Sequence, residues 1–301
     1  MIKQIEGLQN NLQLEELELY DNRIRKIENL SHLHNLKILD LSYNRLRKIE
    51  NLEGLTSLKK VYFSSNRIRK VWIYISCYSY TFQIENLDEL KMLDMLELGD
   101  NKIKEIENIS HLVNLQELYL SSNKIREIPP LDFLSNLRIL GLQSNYICTI
   151  ERLFLPVLEE LYLSQNKLTH IKNLDNLAKL NTLDLATNQI TKIENLNGLV
   201  ELEELWLNEN KISNLEDIDE LANLQNIKTV YLSQNPVAGA LNYKERILRV
   251  LPNIGQIDYS PIGVTYKIKM AEDDKAGIVK QSISEEAKQI IEEVIGKDKD
   301  K

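Results

Sequence analysis

The residues able to do chemistry are four histidines, two cysteines and a recurrent set of carboxylates and tyrosines. His32, His34, His111 and His170 fall in turns without a matched serine, cysteine or metal-spaced partner, and no glycine-rich phosphate loop is present. Cys77 and Cys148 offer no CxxC pair, and Cys148 is expected to be a small buried hydrophobe. The carboxylates differ, because they recur at a fixed interval beside aromatic residues. Their most direct chemistry is recognition. Acid–base catalysis would need a pocket to shift their pKa, which an open sheet is not expected to supply. The chain is therefore expected to be no enzyme and to hold no cofactor or metal.

The interval comes from the pattern LxLxxN. It occurs as "LELYDN" ending at Asn22, "LDLSYN" at Asn44, "LELGDN" at Asn101, "LYLSSN" at Asn123, "LGLQSN" at Asn145, "LYLSQN" at Asn166, "LDLATN" at Asn188 and "LWLNEN" at Asn210. "VYFSSN" at Asn66 and "VYLSQN" at Asn235 complete the set. The spacing is 21 or 22 residues, with one step of 35 and a last step of 25. This is the leucine-rich repeat pattern. The expected fold is α/β: a solenoid, or horseshoe, with short parallel strands on the concave face. Loops or 3-10 turns run along the convex side, and a helix caps the C-terminal end. One unit cannot bury its apolar face alone, but stacked units share a core.

Three segments are expected. Residues 1–241 form the array of about ten repeats, 242–262 the cap, with Ile247, Leu248 and Leu251 covering the last repeat, and 263–301 a charged tail. The tail carries Ser282 and Glu285 as a capping box, then apolar residues at helical spacing up to Gly296, so a short amphipathic helix is expected there. The N-terminus opens on half a repeat, "IKQIEGL", expected to be frayed or to continue a longer array.

The step of 35 contains residues 71–83, and deleting Val71 to Gln83 restores "NRIRKIENL", as at residues 22–30. Valine codons begin GT and one glutamine codon ends AG. The segment therefore reads as an unspliced intron, with a genuine inserted loop as the alternative.

Composition sets the remaining bounds. The chain is 43% hydrophobic and 27% charged, with a formal net charge of −8. No apolar run is long enough for a membrane helix, and the N-terminus lacks a secretory core, so an intracellular protein without a membrane is expected.

Alternation along each strand turns the residue inside LxL onto the concave face. That column reads Glu18, Asp40, Tyr62, Glu97, Tyr119, Gly141, Tyr162, Asp184, Trp206 and Tyr231. Two residues earlier the column reads Glu16, Ile38, Lys60, Met95, Glu117, Ile139, Glu160, Thr182, Glu204 and Thr229. Together they hold eight acids and one base. Such a face suits a basic protein surface and disfavours nucleic acid. Basic residues collect after the asparagines instead, from Arg23, Arg25 and Lys26 to Arg67, Arg69 and Lys70. Glu28, Glu50 and Glu85 follow closely and are expected to offset them, leaving a solvated flank rather than a phosphate-binding stripe.

The phrases "LDELANLQNIKTVYLSQNP" and "LPNIGQID", the strand "ELWLNEN" and the last spacing of 25 resemble the leucine-rich regulatory subunit of type-1 protein phosphatase, the regulatory subunit 7 family. The resemblance runs from residue 2 to about 260. It implies a scaffold of nucleus and cytoplasm that docks the phosphatase catalytic subunit on its concave face. By position it implies Asp40, Tyr62, Glu97, Tyr119, Asp184, Glu204, Trp206 and Tyr231 as the contacts. A further phosphatase inhibitor subunit is a second implied partner, and alone the chain is expected to be a monomer. The alternative is an assembly scaffold of ciliary or spliceosomal type.

Overall fold

The computed structural model describes residues 1–69, 73–74, 90–151 and 153–262. Three-residue strands recur at the repeat interval: β1 (Glu16–Glu18), β2 (Ile38–Asp40), β4 (Lys60–Tyr62), β6 (Met95–Glu97), β7 (Glu117–Tyr119), β8 (Ile139–Gly141), β9 (Glu160–Tyr162), β10 (Thr182–Asp184), β11 (Glu204–Trp206) and β12 (Thr229–Tyr231). Each pairs in parallel with the next, residue for residue. The central residue of every strand is buried, and the next leucine or phenylalanine joins it in one continuous core. The result is a parallel-strand solenoid of leucine-rich repeats, with few helices.

Asparagine is required at the turn because of what its side chain completes. Asn145 Nδ2 donates to Leu142 O and Gln143 O in its own repeat and to Leu120 O in the preceding one, while its Oδ1 accepts from Ile125 N. Asn44, Asn66, Asn101, Asn123, Asn166, Asn188 and Asn210 do the same. The residue just before each asparagine is left-handed, with φ from 48° to 58°, although none is glycine. That conformation costs roughly 1 kcal/mol per residue, which the asparagine bonds offset. A second ladder lies in the "IENL"-type turns. There Asn29, Asn51, Asn173 and Asn195 are left-handed, and each donates to a carbonyl one repeat back.

The half-repeat at the N-terminus docks on the first full one. Ile5 is buried, Arg23 N donates to Ile2 O, and Ile2 N donates to Asn22 Oδ1. At the far end the spacing of 25 accommodates a 3-10 helix, Leu215–Asn223, whose Asn214 side chain accepts from Glu216 N. Helix α1 (Tyr243–Val250) packs there with Ile247 and Leu248 buried, Leu251 is buried just beyond it, and Arg246 pairs with Asp219. The chain then returns as β13 (Gln256–Ile257), parallel to β12, and β14 (Ser260–Pro261), antiparallel to β13. These extend the main sheet to twelve strands.

Within the 71–83 segment, β5 (Ile73–Tyr74) pairs with β3 (Ile49–Glu50) as a separate two-stranded sheet. The array closes across the break, because Lys102 N donates to Ile68 O and Ile68 N to Asn101 Oδ1. The rest of that segment and the tail helix lie outside the described residues. Cys148 corrects the reading of the sequence: it is exposed, in the odd phase of a turn whose neighbours Ile147 and Ile150 take the core positions. No helix among the described residues is long and apolar enough to cross a membrane.

Candidate functional site: the concave sheet

Register decides which concave side chains meet. Asp40, Tyr62, Glu97, Tyr119, Gly141, Tyr162, Asp184, Trp206 and Tyr231 are successive cross-strand partners, so seven of the eight candidates form one column. Glu204, the eighth, lies two residues before Trp206 on the same face, beside Thr182 and Thr229.

Asp40 is half-buried and its Oδ1 accepts from Ser42 N at 2.8 Å. Asp184 is only 5% exposed, and its Oδ1 accepts from Ala186 N at 3.0 Å. Glu97 Oε1 accepts from Gly99 N at 2.6 Å. These bonds aim each carboxylate back at its own turn and fix its rotamer. Burial raises the pKa of both Glu97 and Asp184, with the hydrogen bonds partly opposing it. The expectation that an open sheet supplies nothing to shift a carboxylate pKa is thus corrected at these two residues, where burial raises it.

Two strands carry the sequence Glu-Leu-Tyr, and in both the tyrosine donates to the glutamate two residues earlier. Tyr119 OH reaches Glu117 Oε2 at 2.9 Å, and Tyr162 OH reaches Glu160 Oε2 at 2.6 Å. Burial first, then the glutamate bond, pushes both phenols well above their usual range, so they remain neutral donors. Gly141 sits between them. A Cβ there would stand 3.0 Å from Tyr119 Cδ1, so glycine leaves space for that ring.

At the C-terminal end the aromatic residues stack edge to face. Trp206 and Tyr231 have ring centroids 5.5 Å apart, and Tyr231 and Tyr259 5.6 Å apart. Gln256 Nε2 donates to Tyr231 OH at 2.6 Å. The Trp206 indole Nε1 is buried without a hydrogen-bond partner. Sequence reasoning passed over Tyr259 because it lies beyond the last LxLxxN unit. Tyr162 stood in the column but outside the candidate set, though its "ELY" strand repeats the signal of Tyr119. Among the described residues, no group of three or more His, Cys, Asp or Glu could hold a metal ion.

The family pattern described as "Leucine-rich repeat" matches residues 135–295, and that described as "Leucine Rich repeats (2 copies)" matches 12–54, 34–91, 91–132 and 113–154. No curated protein is matched by sequence. Among solved structures, a leucine-rich repeat protein of Leptospira interrogans is 29% identical, with a TM-score of 0.68 over 81% of this chain and 60% of that one. The functional domain of InlJ from Listeria monocytogenes is 20% identical, with a TM-score of 0.64 over 88% of this chain and 54% of that one, a likeness of fold alone. The chain thus spans little more than half the length of either. A rigid concave sheet of this kind suits protein–protein interaction and scaffolding, and by repeat pattern and architecture the chain belongs to the leucine-rich repeat family.

Proposed function

We propose that the chain is a non-catalytic scaffold that binds the catalytic subunit of a type-1 serine/threonine protein phosphatase on its concave face, in nucleus and cytoplasm. The observation that carries this reading is the column running from Asp40 to Tyr231, in which acids are interspersed with aromatics on hydrogen-bonded parallel strands. The finer identity rests on the resemblance of "ELWLNEN" and the cap to the phosphatase-regulator family.

The physical case is one of preorganisation. Carboxylates held by their own turns lose little rotamer freedom on meeting lysine or arginine, so more of the contact energy survives as affinity. Trp206, packed edge to face on Tyr231, supplies an aromatic anchor toward the C-terminal end of the column. Asp184 and Glu204 flank it from the adjacent strand and the adjacent column.

The test is capture of the phosphatase catalytic subunit by the chain and by a Glu204→Ala/Trp206→Ala variant whose folding is checked by circular dichroism. Capture by the first and not the second is expected. A folded parent that captures no phosphatase sinks the phosphatase reading and moves an assembly scaffold of another complex ahead of it.

A further inference from the structure

A different surface carries a ladder of basic residues. In the first three repeats, the residues one and three places after the asparagine are both arginine: Arg23 with Arg25, Arg45 with Arg47, and Arg67 with Arg69. The next two repeats continue with Lys102 and Lys104, then Lys124 and Arg126. All are exposed except half-buried Arg45. Consecutive rungs are hydrogen-bonded through backbone: Arg45 N to Ile24 O, Arg67 N to Leu46 O, Lys102 N to Ile68 O and Lys124 N to Ile103 O, at 2.7 to 2.8 Å. The ladder therefore crosses the 71–83 break without a gap. Five rungs about 4.8 Å apart make a strip roughly 20 Å long, and its two columns lie about 7 Å apart.

Of the acids expected to neutralise this strip, Glu28 and Glu50 are engaged elsewhere, and Glu85 lies outside the described residues. Glu28 pairs with Lys26 at 3.7 Å and Glu50 with Lys48 at 2.5 Å, while Asp100 accepts from Ser65 Oγ at 2.8 Å. None of the ten strip cations has an ion pair or side-chain hydrogen bond among the described residues. Ten cations with no ion pair among the described residues, on one flank of a chain with net charge −8, mark a surface that attracts anions. Later repeats abandon the pattern, with Tyr146 and Cys148, then Lys167 and Thr169, then Gln189 and Thr191.

We propose that this flank is a docking strip for an acidic, extended peptide segment of a protein partner. Its width selects the occupant. The acidic concave column begins one short turn away, at Glu18, Asp40 and Glu97, so a duplex or an anionic membrane broad enough to overhang the strip meets like charge. Single-stranded nucleic acid is narrow enough, but such sites interleave aromatic platforms along the whole run of basic residues, and exposed tyrosines, Tyr20 and Tyr43, stand beside only the first two of the five rungs. Where the strip ends, Lys104, Lys124 and Arg126 enter an open groove shared with Pro130, Tyr146 and Phe154. This gives apolar room for a side chain that follows the acidic stretch. Glu105, Glu107, Glu127, Asp132 and Glu151 also line that groove, which bars a uniform polyanion from continuing into it.

The experiment is fluorescence anisotropy with a labelled polyglutamate peptide ending in phenylalanine, using the full chain. Binding that weakens with added salt is expected. It should fall about tenfold or more in Arg45→Glu/Arg47→Glu/Arg67→Glu/Arg69→Glu. The same four arginines changed to glutamine should give an intermediate loss, with folding of each variant checked by circular dichroism. A control with identical charge change elsewhere, Lys91→Glu/Lys192→Glu/Lys211→Glu/Lys244→Glu, should stay within about twofold of the parent. Absence of peptide binding by the parent, or equal loss in the strip and control variants, overturns the proposal. So does tighter binding of oligo-dT or of phosphatidylserine vesicles that is lost in the strip variant.

Discussion

Replacing Asn145 with alanine tests what holds neighbouring repeats together. The side chain makes four hydrogen bonds at 3.0 to 3.2 Å, two of them to the preceding repeat at Leu120 O and Ile125 N, and it is only 6% exposed. Alanine removes all four and strands the buried Ile125 N–H, while Leu120 O and Leu142 O each keep a bond, from Asn123 Nδ2 and Asn166 Nδ2. A buried polar group left without its partner costs about 1–3 kcal/mol, and water entering the small void would recover part of that for some of the groups. A net loss of roughly 2 kcal/mol is expected, set mainly by the one unpaired N–H and the lost bonds between repeats. Asn136 provides the internal control: it is exposed, in the same repeat, and its side chain makes a single bond, to Val113 O at 2.9 Å. Asn136→Ala should cost under about 1 kcal/mol. Urea denaturation of parent and both variants, followed by far-ultraviolet circular dichroism, measures the difference. Equal losses in the two variants would refute the argument that the buried turn asparagine couples the repeats.

Three further outcomes are expected. Burial raises the Asp184 pKa, so the folded state holds that proton more tightly than the unfolded state. Its contribution is most favourable below the unfolded value of about 3.9 and declines as pH rises through the window up to the folded value. Asp184→Asn should therefore gain stability relative to the parent as pH increases across that window. Thermal melts at several pH values would show this as a difference that grows and then levels, whereas a flat difference contradicts it. Deleting residues 71–83 should leave the melting temperature within about 5 °C of the parent, since Asn101 and Lys102 already bond the repeat before the break. Transcripts that always contain the segment would remove the intron reading. Tyr243→Phe deletes the buried bond from Tyr243 OH to Asp258 Oδ2 at 3.1 Å, and urea denaturation should report a loss of about 1–2 kcal/mol, concentrated in the C-terminal cap.

The solenoid, the concave columns and the capping helix were legible in the chain because they follow from period and alternation, which are local properties. An LxL triplet turns both leucines to one side of its strand whatever its neighbours are, and an array in phase brings Asp40, Tyr62, Glu97, Tyr119, Asp184, Trp206 and Tyr231 into one column. Counting also located the break at 71–83.

What counting could not supply was anything that depends on distances between side chains. Tyr259 reaches Tyr231 only because the chain turns back after α1 and adds β13 and β14 to the sheet. Asp184, on a face that alternation turns outward, is only 5% exposed, and that burial raises its pKa. Glu28 and Glu50 looked able to neutralise the arginines beside them, yet they reach the lysines two residues earlier and leave the strip charged. Each of these is settled by competition among partners within a few ångströms. That competition is decided by stacking one repeat on the next.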